Sequence, residues 1–106
     1  MSESFDDYEA RQRAYWAARA AIPLPSIVSE ALRRMSAGEQ LLSAVAWVWN
    51  AADTDARLAV DAWMQETKCS LLAVPDRERR FRLLVDIEHE TRVNKAQEAR
   101  RLGRAP

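Results

Sequence analysis

His89 and Cys69 are the only histidine and the only cysteine of the chain, and with a few carboxylates they are what the sequence offers toward catalysis or metal binding. Neither has the company it needs. A nucleophilic thiol requires a base and a group that orients that base, and a metal site requires further ligands at close spacing; Cys69 and His89 stand twenty positions apart. Asp86, Glu88 and Glu90 surround His89, but at i, i+2 spacing they point to different sides of a helix and do not form a paired-carboxylate site. Two glycines sixty-five positions apart, Gly38 and Gly103, exclude a glycine-rich phosphate loop. The expectation is a protein that is not an enzyme and holds no metal or cofactor, with His89 a solvated helix residue.

Arginine is the more informative chemistry. Fourteen of the sixteen basic residues are Arg, whose planar fork binds phosphate or carboxylate through two bonds and stacks on flat rings, as Lys does not. GC-rich coding also favours Arg, so placement matters more than abundance. Residues 1–10 hold four acids and no base, while residues 75–106 hold nine bases against six acids. Two surfaces are candidates for nucleic acid. On the first, Phe5, Tyr8, Arg11, Gln12, Tyr15, Trp16 and Arg19 fall on one side of a helix. Large aromatics usually dominate cores, which makes these core anchors with Arg at the rim; the other reading is aromatic stacking on unpaired bases with Arg on the phosphates. The second surface is Arg77, Arg79, Arg80 and Arg82, then Arg92, Lys95, Arg100, Arg101 and Arg104. It reads equally as cations favoured by a helix C-terminus and as an electrostatic footprint for a nucleic-acid backbone, although the pI of 6.6 lies below the usual basic range.

These side chains must be carried by helices. The chain has 106 residues, enough for one domain over 1–106 with a modest core, and Ala, Leu, Arg, Glu and Gln dominate it. Ser4 caps a first helix with Asp6 and Asp7 in its first turn, running to about Ala21 and stopped by Pro23 and Pro25. A short helix follows at about Ser26–Met35. Ser36-Ala37-Gly38-Glu39 reads as a capping box that opens a third helix to about Ala51. Asp53 or Thr54 caps a fourth that ends before Pro75, and Pro75-Asp76 with Glu78 opens a fifth that stops near Gly103. Glu78/Arg82 and Glu88/Arg92 are i, i+4 pairs of the kind that supports a helix.

Apolar patterning arranges these elements. At 100° per residue Leu41, Leu42, Val45, Val48, Trp49 and Ala52 share one side of the third helix, and Ala44, Ala46, Trp47 and Ala51 make its other sides apolar, so it is expected to be central. The fourth has a stripe of Val60, Trp63, Met64, Thr67, Leu71 and Val74 and a second of Leu58, Ala62 and Cys69, which predicts packing on two sides. The fifth has Phe81, Leu84 and Val85, widened early by Leu83 and Ile87, then Ala96, Ala99 and Leu102, a stripe that thins beyond Glu88. The expected fold is all-α, a compact bundle of about five helices whose last member extends onto the surface. The second and third helices invite comparison with a DNA-reading helix-turn-helix, but Leu41–Ala52 lacks the polar outer face that groove reading needs. That favours single-stranded over duplex nucleic acid as a partner.

A small helical domain with the acidic opening Ser2-Glu3-Ser4-Phe5-Asp6-Asp7, Ala- and Arg-rich helices such as Glu9-Ala10-Arg11-Gln12-Arg13-Ala14-Tyr15-Trp16, and no catalytic motif resembles the anti-CRISPR proteins of bacterial phages and mobile elements. In size and character it is most similar to those directed at type I-E systems. The resemblance spans the chain without a diagnostic motif and carries over no functional residue. It implies an inhibitor that acts by stoichiometric binding to a subunit of a type I surveillance complex or to the nucleic acid that complex handles. Several such inhibitors imitate DNA with acidic surfaces; here only the first ten residues are consistently acidic, and the other end is basic. The alternative expectation is a protein–protein module in which Trp47 or Trp63 anchors a subunit of the complex or a second copy of the chain. No apolar run approaches the roughly 20 residues of a membrane span, and the acidic opening has no secretory character, so the expected location is the cytoplasm of a bacterial host cell.

Overall fold

The computed structural model describes residues 4–103, and of residues 18–20 only the backbone. Five α-helices are joined by short turns: α1 (Phe5–Ala21), α2 (Ser26–Ser36), α3 (Leu41–Ala51), α4 (Thr54–Glu66) and α5 (Arg77–Arg101), with one 3₁₀ turn at Ser70–Ala73 between the last two. There is no strand among the described residues. The chain is an all-α bundle.

Local chemistry accounts for most helix ends. Ser4 Oγ accepts a hydrogen bond from the Asp7 amide at 3.2 Å, with Asp6 and Asp7 in the first turn of α1. Asp53, rather than Thr54, caps α4 by accepting from the Ala56 amide at 2.8 Å, and Asp76 caps α5 by accepting from Arg79 at 3.1 Å. Each satisfies an amide that the first turn of a helix leaves without an internal partner.

The capping box at Ser36–Glu39 does not form. Ser36 is the last residue of α2, and α3 starts from Gln40 with no side-chain cap. Gly38 takes φ +107°, where only glycine sits without strain, and the chain turns there instead. Glu39 faces back toward α2: it accepts from Arg34 at 3.1 Å and from the Ser43 hydroxyl at 3.0 Å. The fourth helix is also shorter than its pattern predicts. Lys68 adopts a left-handed φ of 54°, and the Cys69 amide donates to the Met64 carbonyl at 2.8 Å, closing α4 at Glu66, well before Pro75.

The core belongs to α2–α5. Ile27, Val28, Ala31 and Leu32 of α2 meet Val45, Val48 and Trp49 of α3, Val60, Trp63 and Met64 of α4, and Phe81, Leu84 and Val85 of α5. Trp49 stacks on Phe81 with centroids 5.3 Å apart. α3 lies between α2 and α5, but its outer side is open, with Leu42 and Trp47 exposed. On α4 the Val60–Trp63–Met64–Thr67 stripe is buried, whereas Leu58 and Ala62 of the second stripe are exposed, so the helix packs on one side only.

The aromatic residues of α1 are not core anchors. Phe5, Tyr8, Tyr15 and Trp16 are all exposed. The physical reason is that α2–α5 close a core without them, while the Pro23/Pro25 break lays α1 along the outside, where the Tyr15 hydroxyl donates to the Thr67 carbonyl at 3.2 Å. With α1 outside and α5 extending for about 37 Å, the molecule measures 48 × 37 × 20 Å. None of the described helices is long and apolar enough to cross a membrane.

Phe81 is fully buried against Trp49, so Phe81→Ala should cost about 3–5 kcal/mol, read as a lowered midpoint in urea unfolding. A second expectation concerns the end of α2. The hydrogen bond from Arg33, aided by the charges of Arg33 and Arg34 and opposed by desolvation, holds the Glu30 carboxyl below its ordinary value of 4.5. A carboxyl depressed in the fold contributes stability above its unfolded pKa and loses it as pH falls through the folded value. Carbon-13 titration of Glu30 should therefore give a midpoint below 4.5, and Arg33→Gln should move it upward.

Candidate nucleic-acid interface

The fold sorts the arginines into two groups. Arg77 Nε and Arg80 Nη1 both donate to Asp61, each at 3.0 Å, and Arg80 Nε donates to the Val74 carbonyl at 2.7 Å. Arg57 sends Nε and Nη2 to the Trp49 carbonyl at 3.1 and 2.7 Å, satisfying the end of α3. Arg34 lies 3.7 Å over the Trp47 ring while paired with Glu30 and Glu39. These forks are engaged inside the protein. Arg77 and Arg80, which the sequence offers as nucleic-acid contacts, thus hold α5 against α4 and the turn before it.

The exposed cations lie elsewhere. Exposed Arg79 and half-buried Arg82 share a shallow cleft with Leu42, Val45, Ala46, Asp76 and Glu78, so two carboxylates line it beside the two cations. Arg92, Lys95, Arg100 and Arg101 are exposed on the last turns of α5. Arg92 and Lys95 continue the face that Phe81, Leu84 and Val85 bury earlier, since at 100° per residue they fall within about 60° of it. Arg101 falls about 180° from Arg92, on the opposite side. Arg11 is exposed on α1. The Arg19 side chain and Arg104 lie outside the described residues.

Two of the sequence-level surfaces meet in one place. Trp16 of α1, Ile22 and Leu24 of the Pro-containing connection, Trp63 of α4, and Glu88, Thr91, Arg92 and Lys95 of α5 line a cleft of about 540 Å³. Its floor is apolar, Trp16 forms one wall, and two cations against one carboxylate form the other. Trp16 is steadied by Tyr15, whose ring meets it edge-on at 5.3 Å and whose hydroxyl is tied to Thr67. Tyr8 lies on the same helix, further toward its exposed start. Such a cleft offers a flat aromatic surface for a planar group and guanidinium and ammonium donors for an anion beside it.

The sequence places Trp16 on the first candidate surface and offers Trp63 only as a protein anchor; Ile22 and Leu24 belong to neither candidate surface. The available signal for Ile22 and Leu24 was their place beside Pro23 and Pro25, apolar side chains at the break that follows α1. His89 is not the solvated residue its flanking glutamates suggest: it is half-buried and lines a second cleft with Leu32 of α2. Among the described residues no group of three or more His, Cys, Asp or Glu side chains is placed to hold a metal ion.

No protein family, no curated protein and no solved structure matches the chain.

Tyr15→Phe removes the hydrogen bond from α1 to the Thr67 carbonyl. Amide exchange in α1 should accelerate while the bundle's unfolding free energy changes by less than about 1.5 kcal/mol, the worth of one such bond.

Proposed function

We propose that this chain is a non-enzymatic binding protein that holds single-stranded nucleic acid, most naturally DNA, in the cleft between α1 and α5. The observation that carries the reading is the convergence of Trp16 with Arg92 and Lys95 over an apolar floor. Bases stack on aromatic faces regardless of sequence, and adjacent cations take the phosphates. Exposure of the whole α1 aromatic row, Phe5, Tyr8, Tyr15 and Trp16, supports a strand that continues along α1. α3, with Leu42, Ser43, Trp47 and Asn50 exposed, carries no cation of its own to read base edges, which speaks against its use as a groove-reading helix.

The resemblance to type I-E anti-CRISPR proteins supplies a setting for this binding. In that setting the protein inhibits stoichiometrically, occupying nucleic acid in or near the surveillance complex so that target DNA is neither recognised nor degraded. A second reading rests on a different observation. Trp47 is 55% exposed, and the Arg34 guanidinium over its ring holds it in place. A rigid exposed Trp beside exposed Leu42 is the kind of anchor that concentrates interface energy, and it suits a protein subunit of such a complex or a second copy of the chain.

Titration of labelled single-stranded and duplex DNA at several salt concentrations tests the first reading. If about three phosphates are contacted, the log affinity for the single strand should fall with log salt at a slope near −2. Trp16→Ala should weaken it by about 1–3 kcal/mol, and Lys95→Gln should flatten the slope. No single-strand binding at low salt rejects the reading, and a nuclease-resistant complex lost on Trp47→Ala supports the second. In cells carrying a type I-E system, the intact chain should restore plasmid transformation and Trp16→Ala should not.

A further inference from the structure

On the other flank of Arg92 lies a smaller cleft, about 230 Å³, between the end of α2 and the last turns of α5. Leu32, Val93 and Ala96 form its floor, and Ser36, His89, Arg92, Gln97 and Arg100 its rim. His89, Val93, Ala96 and Arg100 follow one another at i, i+4, i+7 and i+11, so a single stripe of α5 faces the α2 terminus.

The charge here is unlike that of the neighbouring clefts. Glu88 lines the α1/α5 cleft, Asp76 and Glu78 line the one beside α3, and Glu98 lines the one around Arg101, but no carboxylate lines this one. Among the described residues neither Arg92 nor Arg100 is in an ion pair. Two guanidinium forks outside any ion pair therefore line one concave spot with an imidazole, a hydroxyl and a carboxamide. Neutral donors and paired forks suit an oxyanion with several acceptor oxygens, since each fork can make two parallel bonds. Because no carboxylate lines the cleft, a dianion is favoured over a monoanion.

We infer that the His89–Arg92–Arg100 cleft is a phosphomonoester site. It is too small for a whole nucleotide to be enclosed, typical ligand pockets being roughly 300–1,000 Å³, and it fits a phosphate with the sugar carbon that bears it. Arg92 borders both clefts, so a strand stacked on Trp16 can place its terminal phosphate here. That placement rests on the nucleic-acid reading above; the site itself does not.

The test uses the full chain labelled with nitrogen-15 and carbon-13, probed first with inorganic phosphate and thymidine 5′-monophosphate, then with single strands that do or do not carry a 5′- or 3′-terminal phosphate. Phosphate and the mononucleotide should shift the His89 ring and Val93 and Gln97 amide resonances, and Arg100→Gln should abolish those shifts. Phosphate on one strand end should tighten binding about tenfold, the worth of one hydrogen bond to a charged group, with the gain reduced to about one in Arg100→Gln; preserved chemical-shift dispersion in the variant shows that it is folded. Shifts with inorganic phosphate but no strand binding would uphold the site and reject the nucleic-acid reading. No shifts with phosphate or the mononucleotide, together with equal affinity for phosphorylated and unphosphorylated strands, overturns the site even if strands bind.

Discussion

Trp49 is the residue on which three helices take their register. Its ring stacks on Phe81 of α5, its carbonyl receives the Arg57 fork from α4, and the Arg57 and Arg77 guanidinium groups lie 4.9 and 5.9 Å from its ring. Arg77 is in turn paired with Asp61 of α4. A large flat side chain at the end of α3 thus gathers apolar stacking, a helix cap and cation–ring contacts at one point. Core interiors tolerate little slack, so fixing this point fixes the angle at which α5 leaves the bundle.

The rest of α5 follows from that anchoring. Its first half is held by Phe81, Leu84 and Val85, all fully buried, and by the Arg77 and Arg80 bonds to Asp61. Beyond Glu88 the same helical face carries Arg92 and Lys95, and no other helix of the bundle covers them. A helix turns sharply only at a break, and none occurs in α5 before Gly103, where φ is +72°. The projecting end therefore has two flanks, one toward α1 and one toward the end of α2, and each flank is a cleft. Binding chemistry arises here where packing stops.

Much of the scaffold was legible in the residues themselves. The caps at Ser4, Asp53 and Asp76 are local events spanning three residues, and the main stripes on α3, α4 and α5 depend only on helical periodicity. The misreadings were also local in origin but tertiary in cause. Ser36 and Glu39 have the spacing of a capping box, yet Arg34 and Ser43 compete for the Glu39 carboxylate and Gly38 opens a turn. The α4 pattern continues through Leu71 and Val74, but Lys68 takes the left-handed conformation and the stripe proceeds as a 3₁₀ turn. Apolar spacing alone does not distinguish these outcomes.

The candidate site divides the same way. Sequence by itself determined the helices, their stops at Pro23, Pro25 and Gly103, the apolar stripes, and an arginine-rich end that runs past the last large core residue. These properties depend on interactions among residues a few positions apart. Only the tertiary structure decided that the α1 aromatics face outward, that Arg77 and Arg80 are consumed by Asp61 while Arg92 and Arg100 are not, and that Trp16 and Lys95 line one cleft. The physical reason is that charge neutralisation and exposure are set by what lies across a helix interface, as when Tyr15 reaches Thr67 fifty-two positions away. Periodicity specifies which face a side chain occupies, whereas packing specifies what that face meets.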